Sequence, residues 1–181
     1  RKHASLLPRV FSGVLREELY QQLKAKAIDA GLYAANMPIE VGGSGLDTVS
    51  WVLYEKELGR TSYALHFNCV ARPSNILLAC SGEQRERYLL PTVRGERVEC
   101  LAMSEPGAGS DLRAMKTSAV ERGGDFIING TKHFISHADR ADYVILFATT
   151  GVEAGPKGPR TRLTAFLVDK GQAGFTVREG Y

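Results

Sequence analysis

The chain has 181 residues, of which 44% are hydrophobic and 24% charged, which is typical of a globular protein and not of a disordered one. The net charge of +3 comes from interspersed acids and bases, so no basic stripe points to a nucleic-acid partner. Three cysteines without a C-x-x-C pair predict free thiols in a reducing compartment, and no apolar run approaches the roughly 20 residues that span a membrane. We expect a cytoplasmic protein, with a mitochondrial matrix location left open, and an Arg in place of Met at position 1 suggests a fragment.

The first half of the chain predicts helices. Between Ser12, a candidate N-cap, and Gly31, a candidate stop, apolar residues recur every four positions and form one face. A loop containing Pro38 and three glycines follows, and Asp47 is placed to cap a second helix that Gly59 ends.

Residues 62–80 carry a single charge, which predicts a buried helix that Pro73 kinks or splits. His66 lies inside this run, where a hydrogen-bonded core histidine is the simpler interpretation. A short surface helix with a Ser81 cap follows.

From about residue 98 the pattern changes to short β-branched or aromatic segments separated by turn residues. Asn129-Gly130 is the strongest hairpin signal, and Gly123-Gly124 predicts another. Residues 149–161 are rich in Gly and Pro and predict a loop. Arg160 in this loop and Arg162 just after it could approach phosphates or simply be solvated. Strand segments are predicted at 98–104, 118–121, 125–130, 132–136, 141–148, 163–169 and 174–179.

Helices followed by strands predict an α+β protein with an N-terminal all-helical domain, residues 1–97, and a small antiparallel β-barrel or sandwich-like domain, residues 98–181. A βαβ nucleotide-binding fold is disfavoured because no helix-length segment separates successive strands.

The sequence MSEPGAGSD, residues 103–111, resembles a phosphate-binding loop at first sight. It lacks the third glycine of G-x-G-x-x-G and the Gly-Lys-Ser/Thr of a P-loop. On spacing alone a tight turn is the simpler interpretation. The alternative is a loop of low side-chain bulk whose backbone N–H groups face a ligand.

Four passages in order resemble the acyl-CoA dehydrogenase family: PIEVGGSGLD with YEKELGR, GEQRERYLLPTVRGE, LAMSEPGAGSD, and INGTKHFIS leading into ADYVILFA. They span the N-terminal helical domain and most of the middle β domain of that family, while its C-terminal helical domain is absent. The resemblance implies FAD as cofactor and an acyl-CoA as substrate.

The resemblance also implies which residues contact the flavin. The first segment, residues 101–110, would bond the pyrimidine edge of the ring, with the Ser104 hydroxyl where the family commonly has Thr, and Ser110 would also reach the CoA arm of the substrate. In the second segment an aromatic ring shields the flavin and a hydroxyl bonds near N5. The implied flavin-binding residues are Leu101, Met103, Ser104, Gly109, Ser110, Phe134, Ile135 and Ser136.

This chain departs from the family after Ser136, where His137-Ala138-Asp139 replaces Asn-Gly-Gly. His137 could be an acid–base group, but an exposed turn histidine is the simpler interpretation. The departure suggests a subfamily with a different substrate preference.

The family reaction is oxidation of an acyl-CoA to the 2,3-enoyl-CoA. Its base is a Glu beyond residue 181, so no catalytic residue is assigned, and Glu105 belongs to the flavin-edge loop. An acyl-CoA oxidase, a flavin monooxygenase or a non-catalytic binding module of the same fold are alternatives. We further expect an electron-transfer flavoprotein or similar acceptor as partner, a homo-oligomer at full length, no metal, and an inactive isolated fragment that binds FAD weakly.

Overall fold

The structure, a computed structural model, describes residues 17–61, 69–156 and 158–178. Its contacts cluster into two compact units, Arg1–Arg97 and Val98–Tyr181. In the described residues, no helix has both the length and the apolar character that crossing a bilayer requires. Cys69, Cys80 and Cys100 are not disulfide-bonded.

The first unit is helical, as predicted. Helix α1 spans Glu17–Asp29 and α2 spans Thr48–Leu58. Three consecutive turns, the middle one a π-helix, form α3 at Gly82–Gln84, Arg85–Leu89 and Leu90–Val93. Short 3-10 turns lie at Ile39–Val41 and Asn75–Ala79.

Helix α1 buries one face that includes a lysine. The Lys24 ammonium lies 5.7 Å from the ring centre of Tyr20 and 5.6 Å from that of Tyr33, so two aromatic faces surround the buried cation. Gly31 follows the helix at φ +67°, which confirms it as the stop. The predicted Ser12 cap lies outside the described residues.

The caps of the later helices are confirmed in part. The Asp47 carboxylate accepts from the backbone N–H of Ser50 at 2.7 Å, and Gly59 follows the last turn of α2. Ser81 precedes α3 but makes no side-chain cap bond. His66 and the first part of the predicted buried helix fall in residues 62–68, which the structure does not describe, and Asn75–Ala79 is a 3-10 turn that Ser74 caps.

The second unit contains one five-stranded sheet built around its fourth strand. The strands are β1 Glu99–Ala102, β2 Ser118–Arg122, β3 Asp125–Asn129, β4 Tyr143–Gly155 and β5 Gly158–Asp169. Strands β1 and β2 pair successively with one edge of β4, β5 pairs with the other edge, and β3 pairs with β2. The side chains of Tyr143 and Ile145 on β4 are fully buried at the centre of this unit.

The α+β prediction is confirmed, but the sheet is mixed where antiparallel pairing was expected. Strands β1 and β4 are parallel, with Leu101 opposite Ile145, and β2 meets β4 in parallel at Ser118 and Thr149. The long segment 103–142 between β1 and β4 supplies the crossover that parallel pairing requires. Among the described strands the sheet stays open and does not close into a barrel.

One of the two predicted hairpins is wrong. Gly123 and Gly124, both at positive φ, make the two-residue turn between β2 and β3, as predicted. The predicted strand at 132–136 does not form, because the Lys132 ammonium and the His133 N–H bond to the segment after β1.

The predicted loop at 149–161 is also wrong. Strands β4 and β5 continue through it as a long hairpin with a bulge between Thr149 and Gly151. Polar cross-strand pairs replace apolar alternation there, since Arg160 pairs with Glu153 at 2.7 Å and the Arg162 guanidinium donates to Thr150. At the other end of the unit, residues 175–178 of the predicted last strand are not in a strand.

The loop before α2 yields a stability prediction. A Cβ at Gly43 would overlap the carbonyl oxygen of the fully buried Met37. Gly43→Ala is expected to lower the free energy of unfolding by about 3 kcal/mol in a urea titration. Gly59→Ala is the control, because its Cβ would lie 3.4 Å from the Glu55 oxygen in a helical conformation. Equal stability of the two variants would contradict the close approach.

Candidate functional site

The structure brings the two predicted ligand-binding segments together. The loop 103–111, which contains most of the first predicted segment, follows β1. The passage 130–136, which contains the second predicted segment, Phe134-Ile135-Ser136, follows β3. These two stretches are called the first and second segments below. The backbone N–H of His133 donates to the Ser104 carbonyl at 2.9 Å, and the Lys132 ammonium donates to the Met103 carbonyl at 3.0 Å. Segments 28 residues apart in sequence, measured from Ser104 to Lys132, therefore lie side by side.

A buried ion pair joins the same two segments. Lys132 Nζ lies 2.9 Å from Glu105 Oε1, and the two side chains are only 8% and 6% exposed. Glu105 also accepts from the backbone N–H groups of Thr117, at 3.0 Å, and Lys116, at 2.7 Å. The buried carboxylate thus has an opposite charge and two further donors, which is the condition for burying a charge at tolerable cost.

These contacts fix the protonation state of Glu105. Burial alone raises the pKa of the carboxyl, but hydrogen bonds from Lys132, Thr117 and Lys116 outweigh it and lower the pKa to about 2. The group is ionised and fully engaged at neutral pH. Its oxygens are bonded to Lys132 and to two backbone N–H groups, so it is poorly suited to accept a proton from a substrate.

The glycines of MSEPGAGSD have space around them. Glu105 and Ala108 exchange two backbone hydrogen bonds, of 2.7 and 3.2 Å, which makes residues 105–108 a tight turn. Neither Gly107 nor Gly109 has a left-handed φ, and a Cβ on either would meet nothing within 4 Å. No described residue requires glycine at these two positions, so the missing side chains leave open room beside the loop.

Three predicted ligand-binding hydroxyls are uncommitted. The hydroxyls of Ser104, Ser110 and Ser136 hydrogen-bond to no residue in the described part of the chain. Ser104 is half-buried, while Ser110 and Ser136 are exposed. Each can donate to and accept from a bound molecule without breaking a bond inside the protein.

Phe134 presents its ring to the surface from a strained backbone. The residue is 75% exposed, has φ +56°, and stacks on His133 with ring centres 3.8 Å apart. A bulky residue at positive φ costs about 1–3 kcal/mol and occurs most often at functional sites. An exposed aromatic ring held in this way is suited to cover a flat ligand.

The neighbouring apolar residues divide between core and surface. Ile135 packs against the buried cluster of Cys100, Ala102, Ala141 and Val144 and so anchors the second segment. Leu101 lies on β1 between two buried residues and is 38% exposed, so its side chain faces away from that cluster.

His137 is half-buried, where an exposed residue was expected. It lies in a turn at φ +64°, and its carbonyl accepts from the N–H groups of Arg140 and Ala141. Burial, helped by the positive charge of Arg140, lowers the pKa of His137. The described residues contain no cluster of three or more His, Cys, Asp or Glu that could hold a metal ion.

Lys132 was not among the predicted site residues. The available signal was the position of two opposite charges, Glu105 and Lys132, inside two otherwise small or apolar passages. A single charged residue in such a passage is typical of a solvated turn. Only the tertiary fold shows that Glu105 and Lys132 form an ion pair.

The titration of Glu105 predicts acid sensitivity. Its pKa is about 2 when folded against an ordinary value of 4.5, so the ionised pair stabilises the protein above pH 4.5. This contribution, about 3 kcal/mol, is lost as pH falls from about 4.5 through about 2. Urea unfolding of the chain and of Glu105→Gln across this range is expected to show a shallower loss in the variant. If the free energy of unfolding fell equally with pH in the wild type and in Glu105→Gln, the lowered pKa of Glu105 would be contradicted.

Comparisons with known proteins agree with the fold. Residues 6–96 match the family model of the acyl-CoA dehydrogenase N-terminal domain, and residues 100–181 match that of the middle domain. Mitochondrial isovaleryl-CoA dehydrogenase of Pongo abelii is 38% identical over 155 residues, covering 81% of this chain and 35% of that protein. Subunit CarC of the caffeyl-CoA reductase–Etf complex of Acetobacterium woodii is 34% identical over 165 residues, covering 88% and 42%.

A solved structure described as the FAD complex of PigA superposes with a TM-score of 0.74 at 30% identity, covering 97% of this chain and 45% of that one. The chain spans about two fifths of the length of the curated relatives it matches. With both family models matched in order, this chain belongs to the acyl-CoA dehydrogenase family.

Proposed function

We propose that the protein is an FAD-dependent acyl-CoA dehydrogenase that oxidises an acyl-CoA thioester to the 2,3-enoyl-CoA. The observation that carries the proposal is the set of three uncommitted hydroxyls, Ser104, Ser110 and Ser136, on two segments that the fold ties together. Isovaleryl-CoA dehydrogenase and the FAD complex of PigA, both similar to this chain, support the reaction class and the cofactor.

The residues present fit an isoalloxazine ring. Since the carbonyls of Met103 and Ser104 are engaged inside the chain, the Ser104 hydroxyl and the backbone N–H groups nearby are the groups left to bond the pyrimidine edge. Ser136 would supply a second hydroxyl to the ring, and the exposed ring of Phe134 would exclude water from one side. When bound, FAD supplies the two-electron acceptor that no amino-acid side chain can replace.

We assign the substrate to the open side of the glycine loop. The space beside Gly109 admits the thioester, and the exposed Ser110 hydroxyl can bond the CoA arm. Domain boundaries at residues 97 and 98 would place all of these residues in the β domain.

The base that removes the α-proton is assigned to neither carboxylate of this loop. Glu105 is ionised and saturated, and Asp111 accepts from the backbone N–H of Arg113 at 3.0 Å. Arg160 and Arg162 are likewise not placed on CoA phosphates, because they lie on β5 with partners of their own.

An electron-transfer flavoprotein is the acceptor we propose, and CarC, which belongs to a reductase–Etf complex, supports it. A homo-oligomeric state of the intact protein is proposed on the family resemblance alone. The experiment is reduction of the FAD-loaded intact protein by acyl-CoAs of different length and branching, followed in the flavin spectrum. Ferricenium reduction supports a dehydrogenase, peroxide production supports an oxidase or monooxygenase, and FAD binding without acyl-CoA reduction supports a binding module.

Two serine substitutions separate cofactor from substrate binding. Ser104→Ala removes a hydroxyl from the pyrimidine edge and is expected to weaken FAD binding about tenfold or to shift the flavin potential. Ser110→Leu fills the substrate side and is expected to raise the acyl-CoA dissociation constant more than that of FAD. Fluorescence titrations measure the dissociation constants of FAD and acyl-CoA. Wild-type values in both variants would show that the loop is a structural turn without a binding role.

Phe134→Gly separates ligand binding from folding. Glycine relieves the strain at φ +56° and removes a ring that is 75% exposed, so the unfolding free energy is expected to stay the same or rise by about 1 kcal/mol. The FAD dissociation constant should nevertheless increase, because the ring no longer covers the flavin. Unchanged FAD affinity would show that the ring has no ligand role.

A further inference from the structure

We propose that Lys132 and Glu105 are positioning residues that hold the two flavin-binding segments in one fixed arrangement. The inference rests on the proposed function. Neither side chain is assigned a contact with the flavin, and both act through the backbone groups that they bind.

The Lys132 ammonium holds the first segment at two points. It donates to the Met103 carbonyl at 3.0 Å and to Glu105 Oε1 at 2.9 Å, on either side of Ser104. The next residue, His133, donates its backbone N–H to the Ser104 carbonyl. Three successive residues of the first segment are therefore held by two successive residues of the second, which fixes the backbone that carries the Ser104 side chain.

The Glu105 carboxylate extends this connection into the sheet. It accepts from the N–H of Thr117, and the Thr117 carbonyl accepts from both the N–H and the hydroxyl of Thr149 on β4, at 2.8 and 3.2 Å. A Cβ at Gly130 would overlap Thr117, so the second segment passes directly against the same residue. Through Thr117, the ion pair thereby connects both segments to Thr149 on the central strand β4.

A buried ion pair is suited to position groups more than to stabilise a fold. Compared with a well-packed apolar pair of the same size it often adds no net stability, because two charges lose their hydration. The ion pair does, in contrast, restrict the positions of the residues that it joins, because the Lys132 ammonium must bond a carbonyl and a carboxylate at once. An error of about 1 Å in the placement of a binding group is enough to weaken a site strongly.

The test compares variants of the intact protein. Lys132→Met removes the donor but leaves a buried carboxylate, so the double variant Glu105→Gln/Lys132→Met is made as well, because it removes both charges. The matched control is Arg160→Met/Glu153→Gln, which removes an exposed ion pair from the same unit. Circular dichroism establishes the folded fraction, and FAD affinity, flavin midpoint potential and hydrogen exchange of the His133 amide are measured on folded protein.

The folded Lys132 variants are expected to bind FAD at least about tenfold more weakly, with a shifted midpoint potential and faster exchange of the His133 amide. The control should match the wild type in all three measurements. Wild-type FAD affinity and potential in a folded Lys132 variant would overturn the proposal, as would failure of both Lys132 variants to fold, because the pair would then serve folding alone.

The same measurements distinguish failure of the proposed function from failure of the positioning role. If the wild-type protein binds no FAD, the flavin proposal is wrong, and the His133 amide still tests the positioning role. Faster exchange in the Lys132 variants alone then supports the connection between the segments, and unchanged exchange overturns it.

Discussion

The buried ion pair between Glu105 and Lys132 is the interaction on which the arrangement of the candidate site depends. A carboxylate and an ammonium at 6% and 8% exposure are stable only if each finds compensating partners. Those partners are the Met103 carbonyl and the backbone N–H groups of two residues before β2. The need to satisfy two buried charges thus brings three separate stretches of backbone to one point.

The polar groups of the two segments differ in whether they are bonded inside the protein. The carbonyls of Met103 and Ser104 accept hydrogen bonds inside the protein, whereas the hydroxyls of Ser104, Ser110 and Ser136 make none with the part of the chain that the structure describes. Two of the three non-glycine residues at positive φ in the described part of the chain, Phe134 and His137, lie in or next to the second segment. Backbone groups bonded inside the protein, next to hydroxyls available to a ligand, are the arrangement expected of a preorganised binding site.

Features with local causes were predictable from the sequence. The Asp47 cap and the Gly123-Gly124 turn depend on residues within a few positions, and each forms as predicted. The Asn129-Gly130 hairpin does not form, because the His133 N–H, which a hairpin strand could have used, donates to Ser104 in the segment after β1, and the Lys132 side chain also bonds there. The role of Lys132 could not be predicted for the same reason, since its partners lie 27 and 29 residues away. The resemblance named the two segments, but only the structure shows what joins them.

The most direct test is a crystal structure of the intact protein with FAD. The account predicts the Lys132 ammonium about 3 Å from both the Met103 carbonyl and Glu105, with the Ser104 and Ser136 hydroxyls within hydrogen-bond distance of the isoalloxazine ring. A flavin that contacts neither hydroxyl, or a bound flavin with the Glu105–Lys132 pair broken, would contradict it.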